Sequence, residues 1–256
     1  VRLCLLASGS KGNSIYLETG DTRLLIDAGC SGREIVERLL SIDVDPASLH
    51  AILVSHEHGD HIRGVGTLAR RLKIPVLISY PTLAGSSKLF ARTSPLEFES
   101  GYSFAFRDLQ IDPFPITHDA CDPVGFVLES GEGKVGIATD LGIATRLVKE
   151  KLKGCRALVL EANHDEEMLL NGPYPWHLKQ RIKSRHGHLS NNESMELLGD
   201  ILHEELKGVF LAHLSEVNNH PEKVAEVTTS FMSRQTTCAP RLIVGTQYRA
   251  SKILCL

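Results

Sequence analysis

Apolar residues fall in short runs along this chain, each closed by Gly, Ser, Asp or Pro. Runs of four or five such residues predict strands at 3–7, 51–54 and 75–79, and a hairpin of 15–18 with 22–26 turning at Gly20-Asp21. From 96 to 114 the texture is β-rich, with turns at Gly101 and Asp108. A second hairpin, 124–128 with 134–138, turns at Gly131-Glu132-Gly133, and strands follow at 157–160, 209–212 and 241–244. Between these runs the spacing becomes helical. Ser31 and Glu34 form a capping box ahead of Ile35, Leu39 and Leu40. A helix is expected over 62–72 with Asp60 as its N-cap, although Gly64 and Gly66 inside it each cost about 1 kcal/mol. Others are expected over 81–91 and 143–152, from Ser190 and Glu193 to about 206, and from Pro221 to about 232. There is no internal repeat and no linker-like stretch, so 1–256 reads as one α/β domain.

Composition adds exclusions. A 42% hydrophobic, 23% charged chain is ordinary for a globular protein. A net charge of -3 and a pI near 6.5 give no global attraction to nucleic acid or anionic membrane, so any such attraction must be local. No apolar run approaches the ~20 residues that span a bilayer, and the first apolar stretch is too short for a signal-peptide core. The six cysteines (4, 30, 121, 155, 238 and 255) form no Cys-x-x-Cys pair, which fits reduced thiols in a cytoplasmic protein. Cys121 stands three residues after His118, where a small semi-exposed residue is expected unless its pKa is lowered.

The chemistry concentrates in Ser55-His56-Glu57-His58-Gly59-Asp60-His61, directly behind the strand 51–54. His56 and His58 are two apart, and on an extended backbone such residues point to the same side. Gly59 permits a sharp turn that carries Asp60 and His61 to another side. Imidazoles with a carboxylate suit zinc, manganese or iron better than calcium. This His-x-His-x-Asp-His pattern resembles the signature of the metallo-β-lactamase superfamily, and the resemblance extends over nearly the whole chain. It implies an αββα sandwich of two mixed sheets flanked by helices. It also implies two divalent ions: His56, His58 and His118 hold the first, Asp60, His61 and His213 hold the second, and Asp140 bridges them. His118 follows the first pair by about 60 residues at a strand end, and Thr139-Asp140 follows a strand. Leu25-Ile26-Asp27-Ala28-Gly29 resembles another superfamily motif, whose Asp stands behind a ligand histidine.

Gly187-His188-Leu189-Ser190 resembles a motif of the phosphodiesterase branches, in which the histidine is catalytic and not a ligand. With Ser8-Gly9-Ser10-Lys11-Gly12-Asn13-Ser14 and His213-Leu214-Ser215-Glu216-Val217-Asn218-Asn219, the chain is most similar to the bacterial YycJ/WalJ-type family. That resemblance implies a metal-dependent phosphodiesterase acting on nucleic acid, a DNA exonuclease working from a 5′ end. His188 would be the general acid, and Asp60 would orient it or the attacking water. Backbone contacts are expected from Ser8, Ser10 and Asn13, from Lys179, Arg181 and Arg185 in the most basic run, and from Ser215 and Asn218. A Gly/Ser loop can also be a plain turn, and a basic run a solvated helix face. His164 reads as a polar residue lining the cleft. The alternative is a small-molecule hydrolase acting on a thioester, lactone or cyclic phosphodiester.

Overall fold

Leu3 and Leu5 face one way, Cys4 and Leu6 the other, and all four are buried. A strand apolar on both faces must be covered on both faces, and that decides the layering. The computed structural model describes residues 1–256. One sheet holds β1 (Arg2–Ala7), β2 (Ser14–Glu18), β3 (Arg23–Ile26), β4 (Ala51–Leu53), β5 (Val76–Ser79) and β6 (Pro95–Phe98). The other holds β7 (Phe104–Phe106), β8 (Leu109–Pro115), β9 (Val124–Ser130), β10 (Gly133–Ala138), β11 (Ala157–Glu161), β12 (Gly208–Ala212) and β13 (Arg241–Val244). The short β14 (Leu254–Cys255) returns to pair with β1, so the orders are β14-β1-β2-β3-β4-β5-β6 and β13-β12-β11-β10-β9-β8-β7. Each sheet is mixed: β3 to β6 and β10 to β13 pair in parallel, the rest antiparallel.

The helices are α1 (Gly32–Leu40), α2 (Gly59–Ile62), α3 (Val65–Leu72), α4 (Tyr80–Gly85), α5 (Arg146–Leu152), α6 (Glu166–Asn171), α7 (Trp176–Ile182), α8 (Asn191–Ile201) and α9 (Pro221–Met232). Leu3, Leu5, Ile15 and Leu53 meet Ile111, Phe126, Ile137 and Phe210 between the sheets. Cys4, Tyr16, Leu25 and Ile52 pack outward on Ile35, Leu39, Val65 and Leu68 of α1 and α3. Leu158, Leu160 and Leu211 pack outward on Val148, Leu152, Leu198 and Val224 of α5, α8 and α9. These three cores separate four layers, the αββα sandwich. No helix is long and apolar enough to cross a membrane, and all six cysteines are free.

Several elements differ from the sequence expectation. The helix expected over 62–72 is two pieces, and His58, not Asp60, is the N-cap of α2. Gly64 separates them: its N–H donates to Ala28 O at 2.8 Å, and a Cβ there would lie 2.3 Å from Cys30 O. Close passage of the 28–30 loop, not helix geometry, sets the backbone at that point. α4 stops at Gly85, in a Gly-Ser-Ser run, well short of residue 91. α5 starts only at Arg146, capped by the Thr145 side chain, and α8 ends at Ile201.

Candidate metal centre

The loops that follow β3, β4, β8, β10 and β12 deliver Asp27, the 56–61 run, His118, Asp140 and His213 to one place, where the last residue of β11, Glu161, joins them. Asp27, Asp140 and His213 all have positive φ, at 59°, 58° and 57°. Such backbone costs about 1–3 kcal/mol at a residue other than Gly and persists only where the surroundings enforce it. Here it turns each side chain off its strand end and into the cluster.

Six of the seven residues expected as ligands come together in two groups, and donor atoms of Asp140 also gather with those of His56 and His61 and with those of Glu161, His188 and His213. Donor atoms of His56, His58 and His118 lie within 4.8 Å of one another, as do those of Asp60, His61 and His213. His58 Nδ1 is 3.2 Å from both His56 Nε2 and His118 Nε2. Asp140 stands between the groups, with Oδ2 3.2 Å from His61 Nε2, and Oδ1 3.7 Å from His118 Nε2 and 3.3 Å from His213 Nδ1. Asp27 lies behind His61: its Oδ2 accepts from Nδ1 at 2.7 Å, while Oδ1 accepts from Ser55 N–H at 2.8 Å. His56 Nδ1 meets Ser55 Oγ at 3.0 Å, and His118 Nδ1 lies 3.3 Å from Gly187 O.

The donors fit divalent ions on three counts. Ring nitrogens 3.2 Å apart match the edge of a tetrahedron with Zn–N bonds of about 2.0–2.1 Å, which is roughly 3.3 Å. Asp140 Oδ2 is buried with no hydrogen-bond partner. Four carboxylates (Asp27, Asp60, Asp140 and Glu161) gather at the site, and every ion pair they make is to histidine, never to Lys or Arg. Buried negative charge of this kind calls for cations. Without metal the histidines must supply them. Burial works against a charged His61, but Asp140 and Asp27 raise its pKa well above the usual value. Burial likewise opposes His213, yet Asp140, Asp60 and Glu161 push it to about 10. His56, more deprived of carboxylates, is lowered well below the usual value by burial and by its imidazole neighbours.

Glu161 was not singled out in the sequence. It is fully buried at the end of β11. Its Oε1 accepts from His188 Nδ1 and His213 Nδ1, both at 2.8 Å. Its carboxylate also accepts from the backbone N–H groups of Asp140, Leu141 and Leu189. Burial would raise its pKa, but the two histidines outweigh it and hold the carboxyl at about 2. The available signal was an acidic residue closing an apolar strand, Ala-Leu-Val-Leu-Glu, where a hydrophobic residue would otherwise stand. His188 is about one-fifth exposed, and its ring centroid is 5.1 Å from those of His118 and of His213, astride the two groups.

A cleft of about 250 Å³ opens over His58, Asp60, His118, Asp140, His188 and His213. Of the expected substrate contacts, Ser10, Arg181 and Ser215 line it. Ser8 and Asn13 are buried instead: Ser8 Oγ accepts from His213 N–H at 2.7 Å, and Asn13 Nδ2 donates to Asp60 Oδ2 at 3.3 Å. Lys179 reaches Leu170 O with Nζ, Arg185 is exposed, and neither lines the cleft. Asn218 is buried outside the cleft, as is His164, which was expected to line it. Arg181 Nε donates to Asp119 Oδ2 at 2.8 Å, so the one basic side chain of that run in the cleft is already paired.

A family model described as "Beta-lactamase superfamily domain" matches residues 22–209. The chain belongs to the metallo-β-lactamase superfamily. It is 37% identical over 221 residues to Exodeoxyribonuclease YycJ of Bacillus anthracis, covering 85% of this chain and 84% of that one. It is 39% identical over 223 residues to Exodeoxyribonuclease WalJ of Streptococcus pneumoniae, covering 85% and 83%. The fold superposes on Zn(2+)-bound PqqB from Methylobacterium extorquens with a TM-score of 0.75 at 17% identity, over 100% of both chains. At that identity the likeness concerns the metallo-β-lactamase fold alone. The His/Asp clusters are those typical of hydrolases of this superfamily.

Proposed function

We propose that the protein is a dinuclear metal-dependent phosphodiesterase that removes nucleotides from an end of DNA. The observation that carries this reading is the Glu161–His188 pair at the cleft, beside the clusters of His56, His58 and His118 and of Asp60, His61 and His213. The chain's similarity to the exodeoxyribonucleases YycJ and WalJ supports it. In this reading His56, His58 and His118 would hold one ion and Asp60, His61 and His213 the other, with Asp140 available to both. A pair of divalent ions, when bound, supplies a water nucleophile at neutral pH and stabilises charge on the departing oxygen.

The protein side follows from the contacts. Asp27 and Glu161 hold the Nδ1 protons of His61 and His213, which fixes their rings with Nε2 toward the cluster. Glu161 holds Nδ1 of His188 in the same way, which orients the ring at the edge of the cleft and leaves Nε2 free of that contact. A departing alkoxide is a strong base, and His188 is placed to donate a proton to it. Asp60, partly exposed to the cleft, accepts from Asn13 and is thereby held facing the same space.

The test is a metal-stripped preparation reloaded with zinc or manganese and assayed on DNA labelled at the 5′ or the 3′ end, on RNA, and on an acyl thioester. Release of mononucleotides from the 5′ end of DNA is expected. Thioester hydrolysis with every nucleic acid left intact would overturn the reading.

A further inference from the structure

α7 has an apolar face, yet it buries no residue. Leu178 and Ile182 of α7 and Tyr174, just ahead of its N-cap Pro175, recur at four-residue spacing, and none belongs to any of the three cores. An apolar helical face ordinarily covers a core. This one lines the cleft instead, and these three are the only hydrophobic residues among the sixteen that do.

We propose that this stripe is the wall against which the base of the nucleotide at the scissile phosphate lies, with Tyr174 as the stacking surface. The inference rests on the nuclease reading above and deepens it. The cleft has two unlike sides. One is the cluster of imidazoles and carboxylates, suited to a phosphodiester through its ions and His188. The other carries the three hydrophobic residues of the lining, one of them aromatic. A ligand that satisfies both carries a charged group and a planar apolar group a few ångströms apart, and a nucleotide is such a molecule.

The wall is also held in place. Lys179 Nζ donates to Leu170 O at 2.7 Å, and His188 N–H donates to Ile182 O at 2.9 Å. A Cβ on Gly187 would come within 2.0 Å of Ile182 O, so only glycine lets the His188 backbone pass this close to α7. The base wall and the proton donor are therefore joined by one short connection. Stacking uses the face of a base and not its edge, so the wall is tolerant of sequence but sensitive to loss of the base.

The experiment compares kcat/KM on DNA ending in a normal nucleotide and in a tetrahydrofuran abasic nucleotide, for wild type, Tyr174→Ala and Tyr174→Phe, with metal content and Tm recorded. Wild type should favour the base-bearing end by roughly 5- to 150-fold, the range of base–aromatic stacking. Tyr174→Ala should lose that preference, its kcat/KM ratio between the two ends falling to about one, and Tyr174→Phe should keep it. Equal rates of wild type on both ends, or a preference that survives in Tyr174→Ala, would overturn this inference and leave the nuclease reading standing. Wild type that cleaves neither DNA, with a Tyr174-dependent acyl thioester hydrolysis, would overturn both.

Discussion

Glu161 Oε1 lies 2.8 Å from Nδ1 of His188 and at the same distance from Nδ1 of His213, so one buried oxygen orients two rings with different tasks. Removing it disturbs both. Glu161→Gln should fold, because its amide oxygen can still accept from Leu141 and Leu189 N–H, but the amide NH2 then faces the two histidines and cannot accept from them, so metal affinity or activity should fall by about 10–100-fold. Metal titration and turnover measured on the same preparation check this. Metal affinity and turnover both unchanged would mean that Glu161 is only a structural acceptor.

His188→Ala separates the two tasks. It should keep full metal content and Tm, and lose about 10²–10⁴-fold in kcat on DNA. The loss should shrink on a phosphodiester with an acidic phenol as leaving group, since that oxygen departs without a proton. Equal loss on both substrates would exclude the proton-donor role.

Metal-free protein titrated with zinc or manganese should take up more than one equivalent, and Asp60→Ala should reduce that number. Because the ions bind the folded state, Tm should rise with metal concentration. The stabilisation is about 2.7 kcal/mol at a free concentration 100-fold above Kd. A Tm insensitive to both metal and chelator would contradict a cluster of four carboxylates that lacks Lys and Arg.

The Arg181–Asp119 ion pair bears on DNA affinity. Both residues line the cleft, whereas Lys179 and Arg185 do not. Arg181→Ala should therefore weaken DNA binding and flatten its salt dependence more than Lys179→Ala with Arg185→Ala. Asp119→Asn, by freeing the guanidinium, should strengthen binding and steepen the salt dependence, each added phosphate contact contributing about 0.7–0.9 to the slope. Binding isotherms over a salt series are the measurement.

Cys121 is exposed but should react slowly. Its N–H donates to Glu57 Oε1 at 2.8 Å, and a hydrogen bond to the Glu57 carboxylate, with slight burial, raises the thiol pKa. A raised pKa leaves less thiolate near neutral pH, so alkylation by iodoacetamide should lag behind a free thiol and gain speed only at higher pH. Glu57→Gln should bring the rate back up, read by mass mapping of the Cys121 peptide.

The sequence by itself determined most of the strands and the first histidine run, and through its resemblance to the superfamily it pointed to the sandwich and the rest of the cluster. Strands apolar on both faces demand cover on both, and His56, His58, Asp60 and His61 stand within one loop, where spacing alone constrains their positions. His118, Asp140 and His213 were legible through the resemblance to the superfamily, since a His or Asp after a strand is otherwise read as a turn or cap. What only the tertiary structure decided depends on strands far apart in the chain coming side by side. Glu161 meets His188 and His213 across 27 and 52 residues, a contact that no local pattern encodes. The split of the helix expected over 62–72 is of the same kind, because it follows from the 28–30 loop pressing on Gly64. So is the sorting of the basic run: Lys179, Arg181 and Arg185 are alike in sequence, and only the placement of α7 turns Arg181 into the cleft and leaves the others outside it. Local patterns record which face of an element is apolar. Which distant groups share a buried space follows only from how the layers close.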